Sequence, residues 1–198
     1  MNHVDHHASA DAPPRALWEP RALQLLVVRC QLGESDALDQ LVVDWHPALF
    51  RYVTSFIPEP RDAADVCQSA WVSTLRGLPR LKDRGAFAPW FFGIARRSAF
   101  DWMRQRYRRA PETAWPEEEP EDSGAAPDDQ LTMDPAALEA GLQSLGPLER
   151  EVVLLYYFQE LTIDAITQLI GAPAGTVKSR LHRARRKLRT TLEDPHHD

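Results

Sequence analysis

Residues 111–135 divide the chain. In that stretch nine carboxylates (Glu112, Glu117, Glu118, Glu119, Glu121, Asp122, Asp128, Asp129 and Asp134) and five prolines stand without a single Lys or Arg. A segment so like-charged and so poor in aromatics cannot bury enough apolar surface to offset its ordering entropy, and it reads as a flexible linker. The 198 residues then resolve into two small domains, 20–110 and 136–193, with a disordered tail at 1–19 and a short one at 194–198. Hydrophobic residues at 43% and charged residues at 26% set aside collagen-like, mucin-like and wholly disordered chains.

The formal charge of −6 hides its own distribution. Taking out the acidic segment alone turns it to +3. From Arg96 to Arg109 there are six arginines (Arg96, Arg97, Arg104, Arg106, Arg108, Arg109) against one acid, Asp101. From Thr176 to Leu192 there are seven basic residues and no acid. One such block is most simply a solvated helix face, but a block in each of two domains points to a polyanionic partner.

Both domains read as all-helical. Leu38, Leu41, Val42, Trp45, Leu49, Tyr52, Val53 and Phe56 fall at the three-and-four spacing of an amphipathic helix, which Pro47 is expected to kink or divide. A second helix lies between Pro60 and Gly77, with Ala63, Val66, Cys67, Ala70, Trp71 and Leu75 as its inner stripe. After a polar turn from Pro79 to Gly85, a third opens at Phe87 and runs through Trp90, Phe91, Ile94, Ala95, Ser98 and Trp102 into the arginine block. Beyond the linker, Leu138, Leu142 and Leu145 suggest a short helix stopped by Gly146 and Pro147, and Leu148 to Phe158 a strongly apolar one. Thr162 suits an N-cap, Gly171 a left-handed C-terminal position and Pro173 the first turn of a last helix striped by Val177, Leu181, Ala184, Leu188 and Leu192. Helix, tight Gly-containing turn and basic helix is the helix-turn-helix pattern.

On that last helix Lys178, Ser179, His182, Arg183 and Arg186 share a face away from the apolar stripe, spaced to enter a duplex major groove together. The first basic block differs by its interleaved aromatics, Trp90, Phe91, Phe92, Phe100, Trp102 and Tyr107. Aromatic faces stack on unpaired bases while arginines hold the backbone, so a melted strand is a reasonable target, although Trp90, Phe91, Ile94 and Trp102 fit a core better than a stacking platform. Enzyme readings find no purchase: no G-x-x-x-x-G-K, G-x-G-x-x-G, H-E-x-x-H or G-x-S-x-G occurs. No cofactor or metal site is expected, since His3, His6, His7, His196 and His197 sit at the termini. Cys30 and Cys67 stand far apart, which fits a reducing, cytoplasmic setting, and no apolar run is long enough to insert in a membrane.

The segment from Leu161 to Leu192, above all Gly175-Thr-Val-Lys-Ser-Arg-Leu-His-Arg-Ala-Arg185, resembles the C-terminal helix-turn-helix of bacterial sigma-70-family factors of the extracytoplasmic-function (ECF) group. Asp62-Ala-Ala-Asp-Val-Cys-Gln68 is similar to that family's polymerase-docking helix, and Phe87 to Ala95 with Asp101 and Arg104 to its promoter-melting helix. The resemblance spans Leu23 to Leu192 and implies a dissociable specificity subunit of RNA polymerase. In it, 20–110 would be region 2, for docking, minus-ten recognition and melting, and 136–193 region 4, for the minus-thirty-five element. Asp65 and Gln68 would contact core polymerase. The turn Leu81 to Ala86, with Leu81, Lys82, Asp83 and Arg84, would shape a pocket for a base flipped from the minus-ten strand, beside Arg96, Arg97, Arg104 and Arg108. Thr176, Lys178, Ser179, Arg180, His182, Arg183 and Arg186 would meet the minus-thirty-five duplex. The linker would thread toward the polymerase cleft, and an anti-sigma partner is common in the family.

Ala64 stands where the family usually has an acid, Arg97 where it has asparagine, and Ala165-Ile-Thr167 where it has Glu-Ile-Ala. Arg97 reads as added phosphate affinity. A free-standing helix-turn-helix regulator acting without polymerase is the competing reading, as is an interaction protein that keeps the fold without promoter activity. The first would call for a ligand or receiver module in the N-terminal half, where this chain has Asp65, Gln68 and an arginine-rich aromatic helix instead. The charge layout further suggests that the acidic linker shields the two cationic helices in the free protein.

Overall fold

The computed structural model describes residues 19–107 and 141–193, all helix and turn with no strand among them. The linker at 111–135, Arg108, Leu138, the tails at 1–18 and 194–198 and the terminal histidines lie outside the described residues, as does the Leu192 side chain. The amino-terminal unit holds four helices: α1 (Pro20–Gln31), α2 (Ser35–Thr54), α3 (Pro60–Gly77) and α4 (Phe87–Tyr107). Two 3-10 turns, Leu78–Arg80 and Arg84–Ala86, join α3 to α4. The carboxy-terminal unit holds α5 (Pro147–Val153), a π-helical turn (Leu154–Phe158), α6 (Ile163–Ile170) and α7 (Ala174–Glu193).

The amino-terminal core is aromatic. Trp45 on α2 meets the ring of Phe87 edge-on at 4.8 Å between centroids, with Phe91 at 5.5 Å and Phe92 at 6.2 Å, and Trp71 of α3 closes on Phe91 at 5.0 Å. Phe91 and Ile94 are buried as the spacing predicts, while Trp90 and Trp102 are half-buried. Phe92, counted above among the aromatics available to bases, is fully buried. At Gly77 a side chain of α4 leaves no room on α3: a Cβ there would lie 2.9 Å from the Trp90 ring.

Three departures from the sequence reading have simple causes. Pro47 does not divide α2, which runs through it. The carbonyl that loses its partner belongs to Val43, 69% exposed, where water can replace the missing N–H. On α3 the inner stripe passes to Thr74, fully buried, and leaves Leu75 at 40% exposure, because 3.6-residue periodicity carries the line from Ala70 and Trp71 to position 74 and on to buried Leu78. The run from Leu148 to Phe158 is not one α-helix: after Val153 it widens into a π turn, and the chain then passes through Glu160 at φ 51 before α6 begins. The first helix, α1, carries buried Leu23, Val27 and Cys30 and had no counterpart in the sequence reading.

The carboxy-terminal core is aliphatic, built from Val152, Val153, Leu154, Leu155, Ile166, Ile170, Val177, Leu181 and Leu188. Thr162 caps α6 by accepting from the Ala165 N–H at 3.2 Å, and Gly171 ends it at φ 70. That left-handed residue turns the chain sharply, and Pro173 lies just before α7. The two units touch: α4 packs on α6.

Candidate nucleic-acid and polymerase-docking surfaces

On α3, Asp65 and Gln68 stand exposed on the face opposite the core, together with Ala64. Val72 and Leu75, 41% and 40% exposed, continue the same side toward the C-terminal end. An acid, an amide and two apolar side chains on one accessible strip suit a protein partner. The thiol of Cys67, on the opposite side, is buried, and burial pushes it up to about 12, so it is a core residue and no nucleophile.

The turn before α4 is braced from α1. Gln31 donates from Nε2 to the carbonyls of Leu78 (2.9 Å) and Leu81 (2.8 Å), and its Oε1 accepts from Arg84 Nε at 2.9 Å. Asp83 accepts from the Gly85 N–H at 2.9 Å. Lys82, Asp83 and Arg84 therefore sit exposed on a loop whose backbone is held from below, with Leu81 half-buried. Nothing in the linear pattern marked Gln31, because its partners lie about fifty residues on.

Along α4 the arginines have separate fates. Arg97 is exposed. Arg104 pairs with Asp101 one turn away. Arg106 reaches Asp62 of α3 at 3.1 Å and lies over the Trp102 ring at 5.0 Å. Arg96 turns inward instead. Its guanidinium covers Phe100 at 4.2 Å and donates to Glu151 of the other unit at 2.9 Å.

The last helix presents Lys178 and Arg186 exposed, with Thr176, Ser179 and His182 half-exposed beside them. Positions 178, 182 and 186 are four apart, one above the other on one face, as a groove-reading helix needs. Arg183, placed on this face by its spacing, and Arg180, expected at the duplex from the family resemblance, do not join it. Arg180 is buried at 6% exposure, and Arg183, its side chain 13% exposed, faces Glu149 at 3.7 Å. Glu149 also accepts from Lys187 at 2.8 Å and from the Gly146 N–H at 3.2 Å. One carboxylate thus ties α7 to the start of α5. Arg185 is held by Tyr157, whose hydroxyl accepts from its Nε at 2.6 Å.

The fold and these surfaces define a class: a helical protein of two units, each carrying a basic helix, with an exposed mixed polar and apolar strip on the first. Residues 41–109 match the family model for sigma-70 region 2, and residues 136–188 that for sigma-70 region 4. The chain is 32% identical over 186 residues to the ECF RNA polymerase sigma factor ShbA of Streptomyces griseus, covering 88% of this chain and 97% of that one. It is 28% identical to the RNA polymerase sigma-H factor of Pseudomonas aeruginosa, over 86% of this chain and 93% of the other. Among solved structures, CnrH in complex with the cytosolic domain of CnrY aligns at a TM-score of 0.57 with 24% identity, covering 88% of this chain and 99% of CnrH. The sigma factor RpoE of Bartonella quintana, in complex with the anti-sigma factor NepR, aligns at 0.57 with 22% identity, over 80% of this chain and 98% of RpoE. Both carry the same fold. This chain belongs to the sigma-70 family of RNA polymerase sigma factors, in the ECF group.

Proposed function

We propose that this sigma factor seats core RNA polymerase on the α3 strip, with Asp65 and Gln68 as its polar contacts and Val72 and Leu75 as its apolar ones. In this reading residues 20–110 act as region 2 and residues 136–193 as region 4. The braced turn of Leu81, Lys82, Asp83 and Arg84 receives the unpaired minus-ten strand. Arg97 and Arg104 on α4, with Arg96 and Arg108, hold its backbone. Lys178, Ser179, His182 and Arg186, flanked by Thr176, read and clamp the minus-thirty-five duplex. Arg183 and Arg180 join them once their present contacts are released.

The observation that carries this reading is the accessible Lys178, His182 and Arg186 line, set directly behind the Gly171 turn. The factor itself carries out no bond-making chemistry: it chooses where polymerase starts. It works in the cytoplasm, where polymerase meets the chromosome, and no described helix is long and apolar enough to cross a membrane. The two aligned structures hold CnrH with CnrY and RpoE with NepR, which supports an anti-sigma partner for this chain as well. Run-off transcription with core polymerase on genomic template tests the whole reading. New, discrete transcripts are the expected result. Binding to DNA without any polymerase-dependent transcript would instead support a free-standing regulator.

A further inference from the structure

The cations of α7 differ in what orders them. Arg183 and Lys187 share the carboxylate of Glu149, so part of their charge is already answered inside the protein. Arg185 is ordered without an acid. Its Nε donates to the Tyr157 hydroxyl at 2.6 Å, and its guanidinium carbon lies 5.6 Å from the centre of the Tyr157 ring and 5.8 Å from that of Tyr156. The two rings meet edge to face at 5.0 Å. Among the described residues no carboxylate pairs with this arginine. A phenol and two ring faces give a guanidinium a direction and leave its charge whole, which an acid would not do.

The rings reach α7 through the π turn at Leu154–Phe158, closed by the Gln159 N–H on the Leu154 carbonyl at 3.1 Å. Leu154 and Leu155 stay in the core while Tyr156 and Tyr157 are half-buried beside Arg185, itself half-exposed. Such widened turns recur where a side chain has to be re-aimed for function. At 3.6 residues per turn, Arg185 lies about 20° round the helix from Lys178 and roughly 10 Å further along its axis. It therefore extends the row of Lys178 and His182 rather than the core stripe of Leu181 and Leu188. With Nε engaged by Tyr157, both terminal nitrogens remain for an anion, and that edge suits two oxygens of one phosphate.

We propose that Tyr157, with Tyr156, is a positioning residue for Arg185, and that Arg185 so held anchors a phosphate of the duplex that Lys178 and His182 read. The inference rests on the reading of α7 as the duplex-binding helix. A long cationic side chain that meets a phosphate from free solution gives up its rotamer freedom on binding, and one already aimed does not. The tyrosines touch no DNA in this arrangement: they act through the arginine, setting the register of α7 against the backbone while its neighbours meet the bases.

The full-length protein is titrated onto a mixed-sequence duplex of about 30 base pairs over a range of salt concentrations, so that the slope of log affinity against log salt counts phosphate contacts. Arg185→Ala should weaken binding about tenfold and reduce that slope by about 0.9, the loss of one contact. Arg185→Lys keeps the charge and should keep the slope while binding less tightly. Tyr157→Phe keeps the ring, removes the hydroxyl and should cost about threefold with the slope unchanged. In the Arg185→Ala background Tyr157→Phe should cost nothing further, because its effect runs through the arginine. Equal losses from Tyr157→Phe in the two backgrounds would make the tyrosine structural support only and overturn the positioning role. An unchanged slope in Arg185→Ala would overturn the anchor. Lys178→Ala separates this from the wider reading: if it too leaves binding and slope unchanged, α7 does not meet the duplex and both fall, whereas a loss at Lys178 without one at Arg185 strikes the anchor alone.

Discussion

The two units of this sigma factor solve the problem of holding a basic helix in place by different means. In the amino-terminal unit, α4 is anchored through rings: Phe87, Phe91 and Phe92 project from it into a pocket formed around Trp45, Tyr52 and Trp71. Rings are large and rigid, so the helix and the turn before it form a platform with little freedom. In the carboxy-terminal unit, α7 rests on aliphatic side chains and is oriented by one acid, Glu149, and one phenol, Tyr157. In the proposed function the stiffer platform faces the melted strand and the lighter helix-turn-helix faces the duplex.

The largest effect should come from removing the centre of the aromatic platform. Trp45→Ala deletes a 2%-exposed ring that touches three phenylalanines and should cost roughly 3–5 kcal/mol, seen as a lowered melting temperature. Leu155→Ala in the aliphatic core should cost about 2–4 kcal/mol, and a larger loss there than at Trp45 would break the contrast between the units.

Function divides in the same way. Lys178→Ala leaves the fold unchanged and should weaken binding of a minus-thirty-five duplex about tenfold, on the scale of a base or phosphate contact, and flatten its salt dependence. Gln31→Ala removes the brace under the turn from Leu81 to Arg84. It should cost about 1 kcal/mol in stability and a few-fold in capture of an unpaired minus-ten strand, with duplex binding by α7 untouched.

The smallest predicted effect is on pH. Burial pushes the Glu151 carboxyl above its ordinary value, with the Arg96 guanidinium and Tyr52 hydroxyl pulling it back and Arg180 adding a smaller pull. Of the groups facing it, Tyr52 is itself driven well up by burial, and the arginines do not titrate in acid. A carboxyl whose pKa is raised in the folded protein binds its proton more tightly there than in the unfolded chain. That contribution to stability is therefore present below the ordinary carboxylate range and is lost as pH rises through the raised value. Glu151→Gln should remove this component from the dependence of the melting temperature on pH.

What the sequence revealed and what it hid follow one rule. The helix-turn-helix was legible because each of its parts is local: the Thr162 cap, the Gly171 turn and Pro173 are set by neighbours within a few residues. Asp65 and Gln68, singled out through family likeness, stand exposed, but Leu75 was assigned to the wrong side because a short stripe does not register the drift of 3.6 residues per turn. The first helix was missed even though Leu23, Leu26, Val27 and Cys30 carry the right spacing. The fates of Arg96, Arg180 and Arg183 could not be read at all. Each is decided by an acid distant in sequence, Glu151 or Glu149, and those acids sit in a stretch whose apolar pattern says only that it is buried. The idea that the acidic linker shields the cationic helices concerns residues outside those described, whereas Arg96 pairs with Glu151 and Arg180 is buried within the described residues.

The central claim is that one strip holds polymerase while a different helix chooses the site. Run-off transcription with core polymerase should therefore be compared for the wild type, a Asp65→Ala, Gln68→Ala double variant and a Lys178→Ala, His182→Ala double variant, with binding to core polymerase measured in parallel. The account predicts discrete transcripts from the wild type, loss of both binding and transcripts in the first variant, and retained binding with lost start-site selectivity in the second. Wild-type protein that binds polymerase and leaves its choice of start sites unchanged would contradict it.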